Sequence, residues 1–393
     1  MSEFHSISDT ERIQSVDMMR GIAILGIFLV NMPHFNSPIM YLSQGSGSSR
    51  ASDRLTEKMI DIFAEASFYP LFAFLFGFGV IIFRERVLMK KRPFVRLFAR
   101  RMISLLLIGC LHAFLIWYGD ILISYALTGM FMLLFHRASP RSLFVWALLL
   151  WLVPNGLLSA LLGIAVWIEP GNSDAPSDET LAHEALHHYR DGTFAEILQQ
   201  RWHDWMYVNN AEGTIFIILS LLPMFLFGAY VAKQQWFSSI CANKKTLKKL
   251  WIFTLLFGWS LKLLPYWAER NMATEYVQNM LGGPLTSIFY VTTIALCSDM
   301  RWGNKILSIF AAVGKMSLTN YLFQSILCTL LFYHYGFGLY GTVRPFYGLL
   351  LAIFIYSLQV VISNRWMKHY RTGPVEWLWR TIIYGQKQPF KRT

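Results

Sequence analysis

The stretch RIQSVDMMRGIAILGIFLVNM, residues 12–32, decides the class of the protein. It opens with Arg12, Asp17 and Arg20, and then runs as GIAILGIFLVN, in which Asn31 is the sole polar side chain. Such a segment suits lipid, and at about 1.5 Å per residue an apolar helix of some twenty residues crosses a hydrocarbon core of about 30 Å. Similar runs recur to the end of the chain. The expected spans are 21–41, 59–83, 102–117, 120–135, 142–168, 213–232, 250–267, 284–298, 307–333 and 345–364. Residues Tyr118 and Gly119 alone separate the third from the fourth, so a tight helical hairpin is predicted there. With 55% hydrophobic and 15% charged residues, the 393-residue chain has too little polar surface for a soluble globule. The fold expected is an all-α, polytopic transmembrane bundle of about ten helices, forming a single domain over 1–393. One larger periplasmic loop, 169–212, is inserted in it.

Lys and Arg set the orientation, because basic loops stay on the cytoplasmic side. Placing both termini inside puts 26 basic residues in cytoplasmic segments against about seven outside. Eight of the 26 lie between Arg84 and Arg101, and seven between Arg365 and Arg392. The formal charge of +12 is therefore a topology signal with an attraction to anionic headgroups, and it does not point to nucleic acid. The first apolar run lacks a small-residue cleavage site and follows a polar stretch with Glu3, Asp9 and Glu11, so it reads as a retained helix. A multi-pass protein of the bacterial inner membrane follows. Cys110, Cys297 and Cys328 sit in apolar spans and Cys241 in a basic loop, which suggests neither disulfides nor a metal site.

Polar groups within lipid-grade sequence are the functional candidates. Asn31 lies eleven residues past Arg20, and His112 eleven past Arg101, on two helices that both start from the cytoplasm. Each is then about 16 Å deep, and the two are expected to face one cavity, with Asp120 about 12 Å further out. Asn320 and Gln324 share a helix face, and Gln359 returns to a similar depth; the three amides are candidates for substrate binding or for interhelical hydrogen bonding. The tail GPVEWLWR, 373–380, reads as an interfacial belt with Trp377 and Trp379 at headgroup level and Glu376 spaced to pair with Arg380. In the long loop, His183-Glu184-Ala185-Leu186-His187 matches an HExxH zinc pattern. The loop is too small for a protease domain and lacks the HxxGxxH continuation, leaving Glu196 or Glu212 as third ligand without a motif. No metal is expected.

RIQSVDMMRGIAILGIFLVNM (12–32), FYPLFAFLFGFG (68–79), GCLHAFLIWYGDILISYALTG (109–129), GKMSLTNYLFQS (314–325) and GPVEWLWRTIIYG (373–385) resemble the successive signatures of the YeiB family of bacterial membrane proteins. That family is in turn similar to a wider transmembrane acyltransferase superfamily, whose first helix has an Asp-x-x-Arg start with Asn or His eleven residues after the Arg. Here these are Asp17, Arg20 and Asn31. The resemblance, joined to the residues, implies acetyl-CoA or another acyl-CoA as donor, its phosphates on Arg20, Arg100 and Arg101, with Asp17 holding Arg20. Asn31 would then donate to the oxyanion, His112 would act as base or acyl carrier, and Asp120 would orient the acceptor. No second His follows Asn31 at the spacing of the heparan-modifying enzymes, and the acyl acceptor is not identifiable from sequence. The expected partners are the bilayer, anionic headgroups and the acceptor, with a homodimer left open. A permease for a small solute is the alternative, using the same cavity with helices interrupted at Pro70, Pro154, Pro223 and Pro265.

Overall fold

A computed structural model describes residues 13–42, 50–169 and 177–392. Glu3, Asp9, Glu11, Arg12 and loop residues 170–176 lie outside these. The first part of the chain forms α1 (Gln14–Asn36), α2 (Ala51–Phe63), α3 (Phe68–Met89), α4 (Phe94–Leu115), α5 (Leu122–Phe131) and α6 (Pro140–Ile168). Next come α7 (Glu179–Asp191), α8 (Phe194–Val208), α9 (Ala211–Lys233), α10 (Ile240–Phe253), α11 (Trp259–Lys262) and α12 (Leu264–Trp267). The last are α13 (Met272–Val277), α14 (Gly283–Ser298), α15 (Arg301–Lys315), α16 (Ser317–Phe332), α17 (Pro345–His369) and α18 (Pro374–Tyr384). Apart from one bridge between Tyr370 and Lys391, the regular structure of the described residues is helical.

The protein is a multi-pass membrane protein built as a helix bundle. Among the described residues, six helices are long and apolar enough to cross a membrane, and the pair α15 and α16, bent by 75°, is a seventh if taken as one span. The other expected spans also fall on helices, with reasons for their weaker signal. α5 has ten residues, α4 carries Arg96, Arg100 and Arg101 in its first turns, and α10 joins α11 through a π turn at Thr254–Gly258.

Local chemistry sets several boundaries. Ser139 Oγ caps α6 by accepting from Ser142 N, with Pro140 at the first helical position. Thr193 and Glu196 form a reciprocal capping box at the start of α8. α1 is the hub, packed against α3, α14, α15, α16 and α17. Its crossing with α15 is backbone to backbone: a Cβ on Gly21 would lie 2.1 Å from Phe310 O, and one on Gly314 1.9 Å from Asp17 O. These two glycines bring Arg20 and Lys315 to the same mouth.

Two breaks in the backbone lie inside the bundle, where each freed amide needs a protein partner because lipid offers none. Between α15 and α16 the bare N–H groups of Leu318 and Thr319 donate to Glu376 Oε1 at 2.7 and 3.0 Å, and Thr319 Oγ1 donates to Glu376 Oε2 at 2.5 Å. Glu376 is thus an N-cap supplied from α18 to α16, and it also feels the charge of Arg380, the neighbour that its spacing suggested. Between α2 and α3, where Ala66 takes a positive φ of 53°, the carbonyls of Phe63 and Glu65 are released, while that of Ser67 also accepts from Leu71 N. Tyr290 OH donates to Phe63 O, Lys262 Nζ to Glu65 O, and Ser287 Oγ to Ser67 O.

At the end of the bundle opposite to the start of α1, α7 and α8 fold down as a seal. Asp204 accepts from Tyr41 OH at 2.7 Å, Tyr189 OH at 2.5 Å and Gln200 Nε2 at 2.7 Å. Arg201, fully buried, donates to Leu115 O at 2.7 Å and to Tyr335 OH at 2.8 Å. Leu115 is the last residue of α4, so the guanidinium meets the negative end of that helix dipole.

Candidate functional site

Two contiguous cavities open between α1, α3, α4, α15 and α18. The larger, of about 330 Å³, is lined by Asp17, Arg20, Arg86, Arg101 and Arg380 together with apolar residues of α3. The smaller, of about 160 Å³, shares Arg20, Arg101, Trp379 and Arg380 and adds Lys315 at its rim. Its deeper wall is apolar: Ile24, Ile27, Phe72, Leu75, Phe76, Leu105 and Leu122. The combined space is therefore a cationic mouth leading to a hydrocarbon slot.

Arg20 and Arg101 are held by their surroundings. Arg20 Nη1 donates to Asp17 Oδ1 at 3.4 Å, the expected pairing one turn apart. The Arg101 guanidinium lies 5.1–5.6 Å from the rings of Phe76, Phe83 and Trp379. Stacking of this kind holds the planar group without neutralising it. Trp379 is fixed in turn by its Nε1, which donates to Ser104 Oγ at 2.9 Å. Trp377 Nε1 donates to Gln388 O at 2.8 Å, so both tail tryptophans make internal hydrogen bonds. Burial raises the Glu376 carboxyl above its ordinary range, and the hydrogen bonds from Thr319 oppose the rise. Arg100, expected beside Arg101, is exposed and points to Gly385 instead. Adjacent positions on a helix diverge by about 100°, so one of the pair enters the cavity and the other leaves it.

At the inner end Tyr321 lines the slot, and its ring lies 5.0 Å from that of His112. His112 is buried, and its Nδ1 is 2.7 Å from Asp120 Oδ2. Asp120 Oδ1 accepts from Ile123 N at 2.8 Å. A carboxylate only accepts, so Nδ1 donates its proton to Asp120, and Nε2 is the ring nitrogen left over. That Nε2 has no hydrogen-bond partner, nor does the buried Nε1 of Trp117, whose ring stands edge-on at 6.4 Å.

The pairing corrects the expected placing of Asp120 far beyond His112. Helical rise ends at Leu115, and the chain turns back through 116–121. Gly109 makes the return possible, since a Cβ there would lie 2.8 Å from Ile123 N and 3.0 Å from Asp120 Oδ1.

Asn31 is not joined to His112. Its side chain is half-buried and makes no hydrogen bond to another described residue. It occupies the next position of the stripe Ile24, Ile27, Asn31, one turn beyond the slot's α1 wall. Asn320, Gln324 and Gln359 form a closed ladder between α16 and α17. Gln324 Nε2 donates to Gln359 Oε1 at 2.8 Å, Gln359 Nε2 to Asn320 O at 3.0 Å, and Asn320 Nδ2 to Ser363 Oγ at 3.1 Å. None of the three lines either cavity. His183, Glu184 and His187 lie on the exposed side of α7, and the described residues hold no group of three or more His, Cys, Asp or Glu placed to bind a metal.

Over its full length the chain is 37% identical to the uncharacterized protein YxaH of Bacillus subtilis, covering 99% of that protein. It is 29% identical to the uncharacterized protein YeiB of Escherichia coli K12, over 96% of this chain and 98% of the other. The chain belongs to the YeiB family. A family model described as "Protein of unknown function (DUF418)" matches residues 231–386. That segment of the YeiB-family chain supplies Lys315, Tyr321, Trp379 and Arg380, while α1 and α4 supply Arg20, Arg101 and His112. Sequence reasoning found the second group from polar residues standing in apolar runs. It missed Trp117, Tyr321 and Lys315 because an aromatic residue in a membrane helix, or a basic residue near its end, is ordinary.

Proposed function

We propose that the protein is an acyltransferase of the cytoplasmic membrane that takes an acyl group from acetyl-CoA or another acyl-CoA at the face where α1 begins. The observation that carries this is a cationic mouth that opens into an apolar slot, whose inner end at Tyr321 lies one ring contact, 5.0 Å, from the buried His112–Asp120 pair, although neither member of the pair lines the slot itself. A CoA thioester has matching parts: phosphates for Arg20, Arg101 and Arg380, and a flexible arm for the slot. Arg380 takes the place that sequence assigned to Arg100. Asp17 keeps Arg20 oriented.

In this reading Asp120 holds the His112 tautomer, and Nε2 takes the proton of an acceptor hydroxyl or amine as its heteroatom attacks the thioester carbonyl. The C–S bond breaks, and the imidazolium returns the proton to the departing thiolate. Asn31 is the amide one turn beyond the slot and would donate to the oxyanion. Such a base contributes about 10²–10⁴-fold.

Calorimetry of acetyl-CoA with the detergent-purified protein tests the reading. Binding in the micromolar range, weakened by Arg101→Ala and kept by His112→Ala, is expected. Absence of binding by acetyl-CoA and by longer acyl-CoA removes the donor and returns the cavity to a solute permease.

A further inference from the structure

α8 divides its surface into three sectors, which follow from 3.6 residues per turn. Ile197, Arg201 and Asp204 face the protein and are buried. Glu196, Gln199 and His203 form a polar, exposed sector. The third sector holds Phe194, Leu198, Trp202 and Met206, spaced four apart, with Phe194, Trp202 and Met206 exposed at 57, 51 and 41%. A helix that touched only protein and water would have two sectors.

This apolar stripe does not stand alone. α4 carries its own exposed row, Ile103, Leu107, Leu111 and Leu115, again spaced four apart, which in a membrane bundle is a lipid-facing row. Phe114 links the two rows, with its ring 5.3 Å from Trp202 and 5.2 Å from Trp205. The hydrogen bond from Arg201 to Leu115 O pins α8 at the level where α4 ends. A tryptophan-bearing amphipathic helix at the end of a membrane helix is built for the boundary between headgroups and acyl chains.

We infer that α8 lies in the bilayer surface, its Phe194–Trp202–Met206 stripe covered by lipid. It is thereby a seal over the far end of α4 held on one side by Arg201 and on the other by the membrane. Acyl chains are the occupant, since the stripe continues a surface that already faces them.

The experiment places single cysteines at Phe194, Trp202, Met206, Gln199 and His203 in a chain whose four native cysteines are replaced. Each is spin-labelled, and the protein is reconstituted in vesicles of phosphatidylethanolamine and phosphatidylglycerol. Collision rates are then read with molecular oxygen, which enters lipid, and a water-soluble nickel chelate. Oxygen is expected to dominate at 194, 202 and 206, and the chelate at 199 and 203. Equal chelate access at all five positions overturns the inference, because the helix then stands in water. Protection of 202 from both reagents overturns it as well, because protein then covers the stripe. All five labels lie on exposed positions, and the thermal midpoint of each labelled protein checks that the fold is retained.

Discussion

Both ends of the bundle bury charge, and they do so in opposite ways. At the seal, Asp204 is saturated by two tyrosines and a glutamine, Arg201 donates to a helix carbonyl and a tyrosine with only its Nε left over, and neither lines the cavities described. At the mouth, Arg20, Arg101 and Arg380 line open space with apolar walls behind it. A saturated charge is architecture, because its removal strands a partner. A fixed charge beside a void is a binding surface, because its desolvation is repaid by a ligand. The two ends should therefore separate stability from binding.

The largest effect expected is His112→Ala, which lowers transfer by about 10²–10⁴-fold in a thiol-release assay while acetyl-CoA still binds by calorimetry. Loss of binding together with activity would make His112 structural and erase the distinction. Arg101→Ala should weaken acetyl-CoA about 10–100-fold, the value of a charged hydrogen bond, with little change in the thermal midpoint. Arg201→Met should do the reverse. It leaves the Leu115 carbonyl and the Tyr335 hydroxyl without a donor and destabilises by about 2–3 kcal/mol, read from thermal unfolding in detergent, with acetyl-CoA affinity unchanged. Gln324→Leu, within the α16–α17 ladder, should destabilise by about 0.6–2 kcal/mol without altering affinity.

The smallest effect is in pH. Burial raises Asp204 above its ordinary value of 3.8 against the hydrogen bonds from Tyr189, Tyr41 and Gln200. A carboxyl raised on folding stabilises below its unfolded value, and that contribution is lost as pH rises through the folded one. Protection factors of the amides in α7 and α8, which divide out the pH dependence of free exchange, should thus be higher at acidic pH, and the difference should shrink in Asp204→Asn. An unchanged profile in the variant would mean that the seal holds Asp204 at no net cost.

The helical class was legible because lipid demands long apolar runs, and 21–41, 142–168 and 345–364 announce themselves. The breaks were not. A kink at Met316 depends on Glu376, and the irregular turn at 64–67 on Lys262, Ser287 and Tyr290, all far along the chain. Half of the mouth was legible, since Asp17, Arg20 and Arg101 stand at the threshold of apolar helices. Equal helical depth put Asn31 and His112 at one cavity, yet neither lines the cavities described, and it misplaced Asp120, because periodicity says nothing once a helix ends. The amides at 320, 324 and 359 were legible as a cluster, but whether a cluster faces a ligand or itself depends on packing.

The cap that α18 lends to α16 also has a consequence for biogenesis. Leu318 and Glu376 are separated by 58 positions, so α16 leaves the ribosome well before its cap is synthesised. Until then the first amides of α16 lack their native acceptor, and the mouth lacks Trp379 and Arg380. The cavity is consequently the last part of the molecule to be assembled, and a chain interrupted before Glu376 would insert most of its helices while never acquiring the site.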